Sequence, residues 1–173
     1  MRRKILLLPL FTLLLGICSS FSAEEEYFVR YPNLNADGSK IAFSYQGDIW
    51  VKTLSETASA RRLTIHEAYE MTPMWSPDDQ HIAFISDRYG NNDIFTMDAE
   101  GGSPQRLTHH SGSDILTDWK TNTELLFETG RSFVQVERQD AIYQVSTKGE
   151  TPHRIMNTVG LMAKVSPNKR FIA

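Results

Sequence analysis

Past residue 23 the apolar residues fall in short runs with a two-residue rhythm, and each run is closed by Gly, Pro, Asn or Asp. Turn residues return every 8 to 12 positions, and no window sustains an apolar period near 3.6. Within 71–108 this predicts strands at Met71 to Trp75, Ile82 to Ser86, Asp93 to Met97 and Gln105 to Thr108. Ser55 to Arg61 is short and lacks an apolar face, so it reads as a loop rather than a helix. In the second strand Ile82 and Phe84 share one face and Ala83 takes the other; in the third, Ile94 and Met97 lie on opposite faces. Strands apolar on both faces belong in sheets sandwiched between neighbouring sheets.

The pattern repeats along the chain. The turn and strand Ser76-Pro77-Asp78-Asp79-Gln80-His81-Ile82-Ala83-Phe84 is echoed by residues 35–43, beginning at Asn35, and by 166–173, beginning at Ser166. Thr123-Glu124-Leu125-Leu126-Phe127 is a degenerate copy. A second landmark follows in each unit: Asp48-Ile49-Trp50, Asp93-Ile94-Phe95, then Ala141-Ile142-Tyr143 after Asp140. A third closes it: Arg62-Leu63-Thr64, Arg106-Leu107-Thr108 and Arg154-Ile155-Met156. Ile41, Ile82, Leu125 and Ile172 are separated by 41, 43 and 47 residues, with the drift confined to polar loops. Four short strands per unit at such a period define the blade of a β-propeller. The expected fold is therefore all-β, with four-stranded antiparallel blades at about 27–70, 71–114 and 115–158 and the start of a fourth at 159–173. Trp75 and Trp119 precede their turns and are expected to fill the wedge between blades. About three and a half blades leave strand edges open, so residues 24–173 alone are expected to aggregate or to form homo-oligomers.

The first 23 residues stand apart. Arg2, Arg3 and Lys4 precede a 13-residue apolar run, Ile5 to Ile17, and the small residues Ser20, Ser22 and Ala23 suit cleavage. The run is too short to cross a bilayer, which takes about 20 residues. It reads as an export signal, placing the mature protein in the periplasm or outside the cell. Removing it takes away three of 18 basic residues and none of 21 acidic ones, leaving a net charge of −6. That balance disfavours nucleic acid and anionic lipid as partners. Cys18, the only cysteine, lies in this region after Ile17 rather than after a small residue, so it reads as hydrophobic filler and not as a lipid anchor. The mature part then has no disulfide and no thiol chemistry.

The repeat resembles the WD40-like (PD40, TolB-type) propeller repeat of exported and archaeal proteins, with its W-S-P-D-G-x-x-I-A-F strand, D-I-Y strand and closing R-L-T. Trp75-Ser76-Pro77-Asp78, Ile82-Ala83-Phe84, Asp93-Ile94-Phe95 and Arg106-Leu107-Thr108 carry the match. Tyr31-Pro32-Asn33-Leu34, so near the N-terminus, resembles the start of tricorn-type serine proteases. That resemblance implies a six-bladed propeller ahead of a second propeller, a PDZ domain and a protease core. It implies that these blades gate or sort peptides or unfolded polypeptides. The alternative is a TolB-like, non-enzymatic propeller docking cell-envelope proteins, a family that places an α/β domain ahead of its propeller. Two departures stand out: the export signal, against a cytosolic archetype, and a third unit that offers Lys120-Thr121-Asn122-Thr123 in place of Ser-Pro-Asp.

No catalytic, cofactor or metal residue is assigned. His66-Glu67-Ala68-Tyr69-Glu70 opens like a zinc-protease helix but ends in Glu. His109 and His110 point apart in an extended chain, and His81 and His153 flank strands. Gly101-Gly102-Ser103-Pro104 is a turn rather than a nucleophile elbow. Asp87 to Asp93 is rich in oxygen ligands but lacks calcium-loop spacing, so it reads as a polar hairpin loop.

Overall fold

The computed structural model describes residues 28–55, 57–131, 140–159 and 162–173. The expected export signal and Cys18 lie outside them. Twelve strands form three four-stranded antiparallel sheets among these residues, and no helix occurs there. The first sheet holds β1 (Arg30–Leu34), β2 (Lys40–Tyr45), β3 (Asp48–Thr53) and β4 (Arg61–Arg62). The second holds β5 (Glu70–Trp75), β6 (His81–Ser86), β7 (Asp93–Asp98) and β8 (Gln105–Arg106). The third holds β9 (Asp114–Trp119), β10 (Glu124–Thr129), β11 (Ala141–Ser146) and β12 (His153–Val159). In each sheet the strands lie side by side in chain order. A fourth unit begins with an antiparallel bridge between Val165 and Ile172.

Alternation along the central strands splits the core into layers between sheets. Ile82 and Phe84 of β6 face the first sheet, joining Ala42, Ile49, Val51, Trp75 and Met97. Ala83, Ile85 and Ile94 face the third, against Leu116, Trp119, Leu125 and Phe127. Leu126 and Ile142 pass the pattern on to Ala163 and Val165 of the fourth unit. The two tryptophans each fill such a wedge, and Trp119 Nε1 donates to the Met74 carbonyl across it at 3.0 Å. β1 packs on β5 and β5 on β9, whereas β4 and β8 pack on no strand of another sheet, and only the Arg61 side chain of β4 reaches the turn after β7. The first strands thus converge and the last splay, the wedge geometry of propeller blades about an axis.

The repeated turn has one construction. Ser76 N–H donates to the His81 carbonyl, Asp79 N–H donates back to Ser76, and Ser76 Oγ binds Asp78 and the His81 N–H. Asn35 and Ser166 open the same turn, and its fourth residue is left-handed in all three: Gly38 at φ 73°, Asp79 at 59° and Lys169 at 57°. A type I turn followed by a left-handed residue is a common tight hairpin connection, and glycine is the easy occupant. Where glycine is absent, the side chain reaches the preceding blade. Asp79 Oδ1 and Oδ2 accept from Ala36 N–H and Asn35 Nδ2 at 2.9 and 3.0 Å, and Lys169 Nζ donates to the Trp119 carbonyl at 3.3 Å. The third turn, shorter by one residue, keeps Lys120 N–H donating to Glu124 at 2.8 Å.

Candidate functional site

The converging first strands form the axial wall, and each is interrupted there. Pairing of β1 with β2 slips between Arg30 and Asn33, of β5 with β6 between Met71 and Met74, and of β9 with β10 beside Thr117. Such bulges insert a residue without a cross-strand partner and re-aim the local side chains. Tyr31 and Thr72 occupy them at φ 51° and 55°, and Met162, at the equivalent place in the fourth unit, has φ 56°. Positive φ is costly for a β-branched residue such as Thr72. The first strands therefore share a register slip, with a strained backbone at Tyr31 and Thr72.

Each blade is clasped at one end by the second and third landmarks together. Leu63 and Leu107 N–H groups donate to the Ile49 and Ile94 carbonyls at 2.8 Å. The return bonds use the threonine hydroxyls: Thr64 Oγ1 accepts from Ile49 N–H at 2.9 Å and Thr108 Oγ1 from Ile94 N–H at 3.0 Å. Arg62 pairs with Asp48, and Arg106 with Asp93 at 2.7 Å. This explains why D-I and R-L-T travel together. Replacing Thr108, which is fully buried, by Val leaves the Ile94 N–H without its acceptor. Thr108→Val is expected to cost about 1–3 kcal/mol in urea denaturation, and Thr108→Ser much less.

Burial raises the Asp93 carboxyl above its ordinary value of 3.8, with Arg106 opposing and the Asp114 charge adding to the rise. A raised acid contributes stability that is full below 3.8 and is lost as pH climbs through the folded value. Asparagine does not titrate. The stability of Asp93→Asn relative to the parent is therefore expected to rise with pH above 3.8, read from denaturation midpoints across pH 3 to 7; a flat difference would contradict the assignment. Asp37 and Asp78, lowered by hydrogen bonds from Ser39 and Ser76, act in the opposite sense and below 3.8.

Two further buried pairs were not anticipated from the sequence. Glu70 opens β5 and pairs with Arg88, and Asp114 opens β9 and pairs with Arg131. Both carboxylates are fully buried. Arg88 lies over the Phe95 ring, and Arg131 over Phe127 and Tyr143, at 5.1 to 5.3 Å from the centroids. Arg106 lies 4.0 Å from the Tyr89 centroid. Each of these groups is thus engaged within its own blade.

Of the remaining candidates, two histidines are engaged in turns. His66 and His110 hold equivalent places after R-L-T, and each accepts an N–H from two residues on, Ala68 and Gly112, at 2.9 Å through Nδ1. His81 opens β6, and His153 is exposed at the start of β12. Asp87 Oδ1 accepts from Tyr69 N–H, and Asn91 Nδ2 donates to the His110 and Gly112 carbonyls, so the 87–93 loop spends its polar groups on the protein. Gly101 donates to Asp98 in the turn between β7 and β8. No group of three metal-ligating side chains occurs among the described residues, nor any helix long and apolar enough to cross a membrane.

Similarity to known proteins follows this architecture. The chain is 32% identical over 87 residues to the putative tricorn protease homolog 2 of Streptomyces coelicolor, covering 50% of this chain and 7% of that protein. It is 33% identical over 91 residues to the uncharacterized peptidase YuxL of Bacillus subtilis, covering 46% and 14%. The chain thus spans a small fraction of the relatives it matches. Among solved structures, TolB from Acinetobacter baumannii superposes with a TM-score of 0.64 at 20% identity, over 85% of this chain and 37% of that one. The tricorn protease superposes with a TM-score of 0.64 at 19% identity, over 75% and 13%. Both likenesses show the fold. The model of the tricorn protease N-terminal β-propeller domain matches residues 26–173, nearly the whole chain beyond the leader-like segment, and the chain belongs to that family.

Proposed function

We propose that this chain is the sorting propeller of an exported, tricorn-like serine protease, and that it admits extended polypeptides along its axis while excluding folded ones. The family match over 26–173 carries the reading. The convergence of β1, β5 and β9 supplies the wall such a passage needs. Catalysis would reside in other parts of the complete protein. The non-enzymatic, TolB-like reading has one observation in its favour, the TM-score of 0.64 that TolB shares with the tricorn protease.

The test takes the complete protein that carries this chain. Labelling by a fluorophosphonate probe, with hydrolysis of an unfolded protein and sparing of its folded form, is the expected result. Absence of both labelling and hydrolysis would favour the docking reading. Export is tested separately by fusing residues 1–23 to alkaline phosphatase, which is active only outside the cytoplasm.

A further inference from the structure

Glu70 of β5, Ser86 of β6 and Asp93 of β7 form one row across the end of the second sheet, each directly opposite the next. Side chains so opposed share a face, with Cβ atoms about 4.5–5.5 Å apart. All three residues are fully buried. The charges in the row are balanced, since Arg88 holds Glu70 through Oε1 and Arg106 holds Asp93 at 2.7 Å. The hydrogen bonds are not. Glu70 Oε2 and Ser86 Oγ are both buried without a partner among the described residues. Of the seven such atoms there, only these two belong to directly opposed residues. Leaving a carboxylate oxygen and a hydroxyl in that state is costly, and native interiors seldom do so.

We infer that one ordered water molecule is bound between Glu70 and Ser86, donating to Glu70 Oε2 and accepting from the Ser86 hydroxyl. The two oxygens make no direct bond, yet two hydrogen bonds of about 2.8 Å end to end span the separation of opposed side chains. Buried waters make two to four such bonds, and this pair supplies the minimum. A cation is disfavoured, because it would place a third positive group beside two guanidiniums already matched to the two carboxylates. An anion would meet the free oxygen of Glu70. The ligand is thus neutral and able both to donate and to accept. Its place is structural: Glu70 N–H donates to the Gly47 carbonyl at 2.8 Å and its carbonyl accepts from Ser44 Oγ, so this residue joins the second sheet to the first. The water holds the carboxylate oxygen that Arg88 leaves.

The experiment is a crystal structure of the complete protein, at a resolution that shows ordered water, from crystals grown with sodium and again with rubidium as the only alkali cation. One density peak of the weight of water is expected within about 3.2 Å of both Glu70 Oε2 and Ser86 Oγ. It should give no anomalous signal in rubidium. Ser86→Ala removes one of its two partners and should lower its occupancy at least twofold. Ser86→Asn, longer by about the reach of the water, should replace it with the amide nitrogen. A Ser86 hydroxyl bonded directly to Glu70 with no peak between them would overturn the proposal, as would a rubidium signal or a peak unchanged in both variants. Where a variant does not fold, the density in the parent protein decides.

Discussion

Arg88→Met is expected to destabilise the propeller by about 3–5 kcal/mol, the cost of leaving a buried carboxylate without its partner. Glu70 is fully buried, and Arg88 Nε donates to its Oε1 at 2.9 Å. Its other oxygen, Oε2, has no partner among the described residues, so the guanidinium carries the compensation. Methionine keeps much of the volume that lies over Phe95 and removes only the charge and its donors. Glu70→Gln with Arg88→Met should recover most of the loss, since a neutral amide is far cheaper to bury than a carboxylate. Urea denaturation of the parent, both single variants and the double variant closes the cycle. A cost for Arg88→Met under about 1 kcal/mol would mean that solvent reaches Glu70 and that the pair behaves as a surface one.

Phe84→Ala is expected to cost a similar amount, about 3–5 kcal/mol, through a cavity rather than a charge. The ring is fully buried between the first and second sheets and lies 5.7 Å from Phe95 at an interplanar angle of 18°. Neither neighbour can collapse onto the void, because Ile82 beside it is fully buried and β6 is paired on both sides. The loss should appear as an earlier urea midpoint. Leu54→Ala, at a side chain 52% exposed, is the control and should stay within about 0.5 kcal/mol of the parent. If Phe84→Ala proved equally mild, the layer between the first two sheets would not bear stability.

The architecture was legible because it is periodic. Ile41, Ile82 and Leu125 all fall in second strands, and the expected strand at Ile82 to Ser86 gains only His81 in the structure. The closing strand of the second unit is shorter than expected, β8 ending at Arg106, because the next backbone bond passes to the Thr108 hydroxyl instead of a strand partner. The Glu70 to Arg88 and Asp114 to Arg131 pairs were harder to read. Their members sit 18 and 17 residues apart, one opening a first strand and one in a loop, and the first unit offers Gly47 where the arginine would stand. Near-constant spacing in two units was the available signal. The slips in the first strands were invisible in principle, since they are set by how each strand pairs with the next and not by its own pattern.

Each sheet is built from one uninterrupted stretch, with its strands laid down in chain order. Every pairing within a blade is therefore between nearest neighbours in time as well as in space. Hairpins form in microseconds, while a chain is extended at about 5–20 residues per second. A blade's worth of residues thus has ample time to pair before the next arrives, and its exposed layer then offers a template for the sheet that follows. Assembly is expected to run as a vectorial process from the N-terminus, with each completed blade retiring the sticky surface of the one before and creating the next.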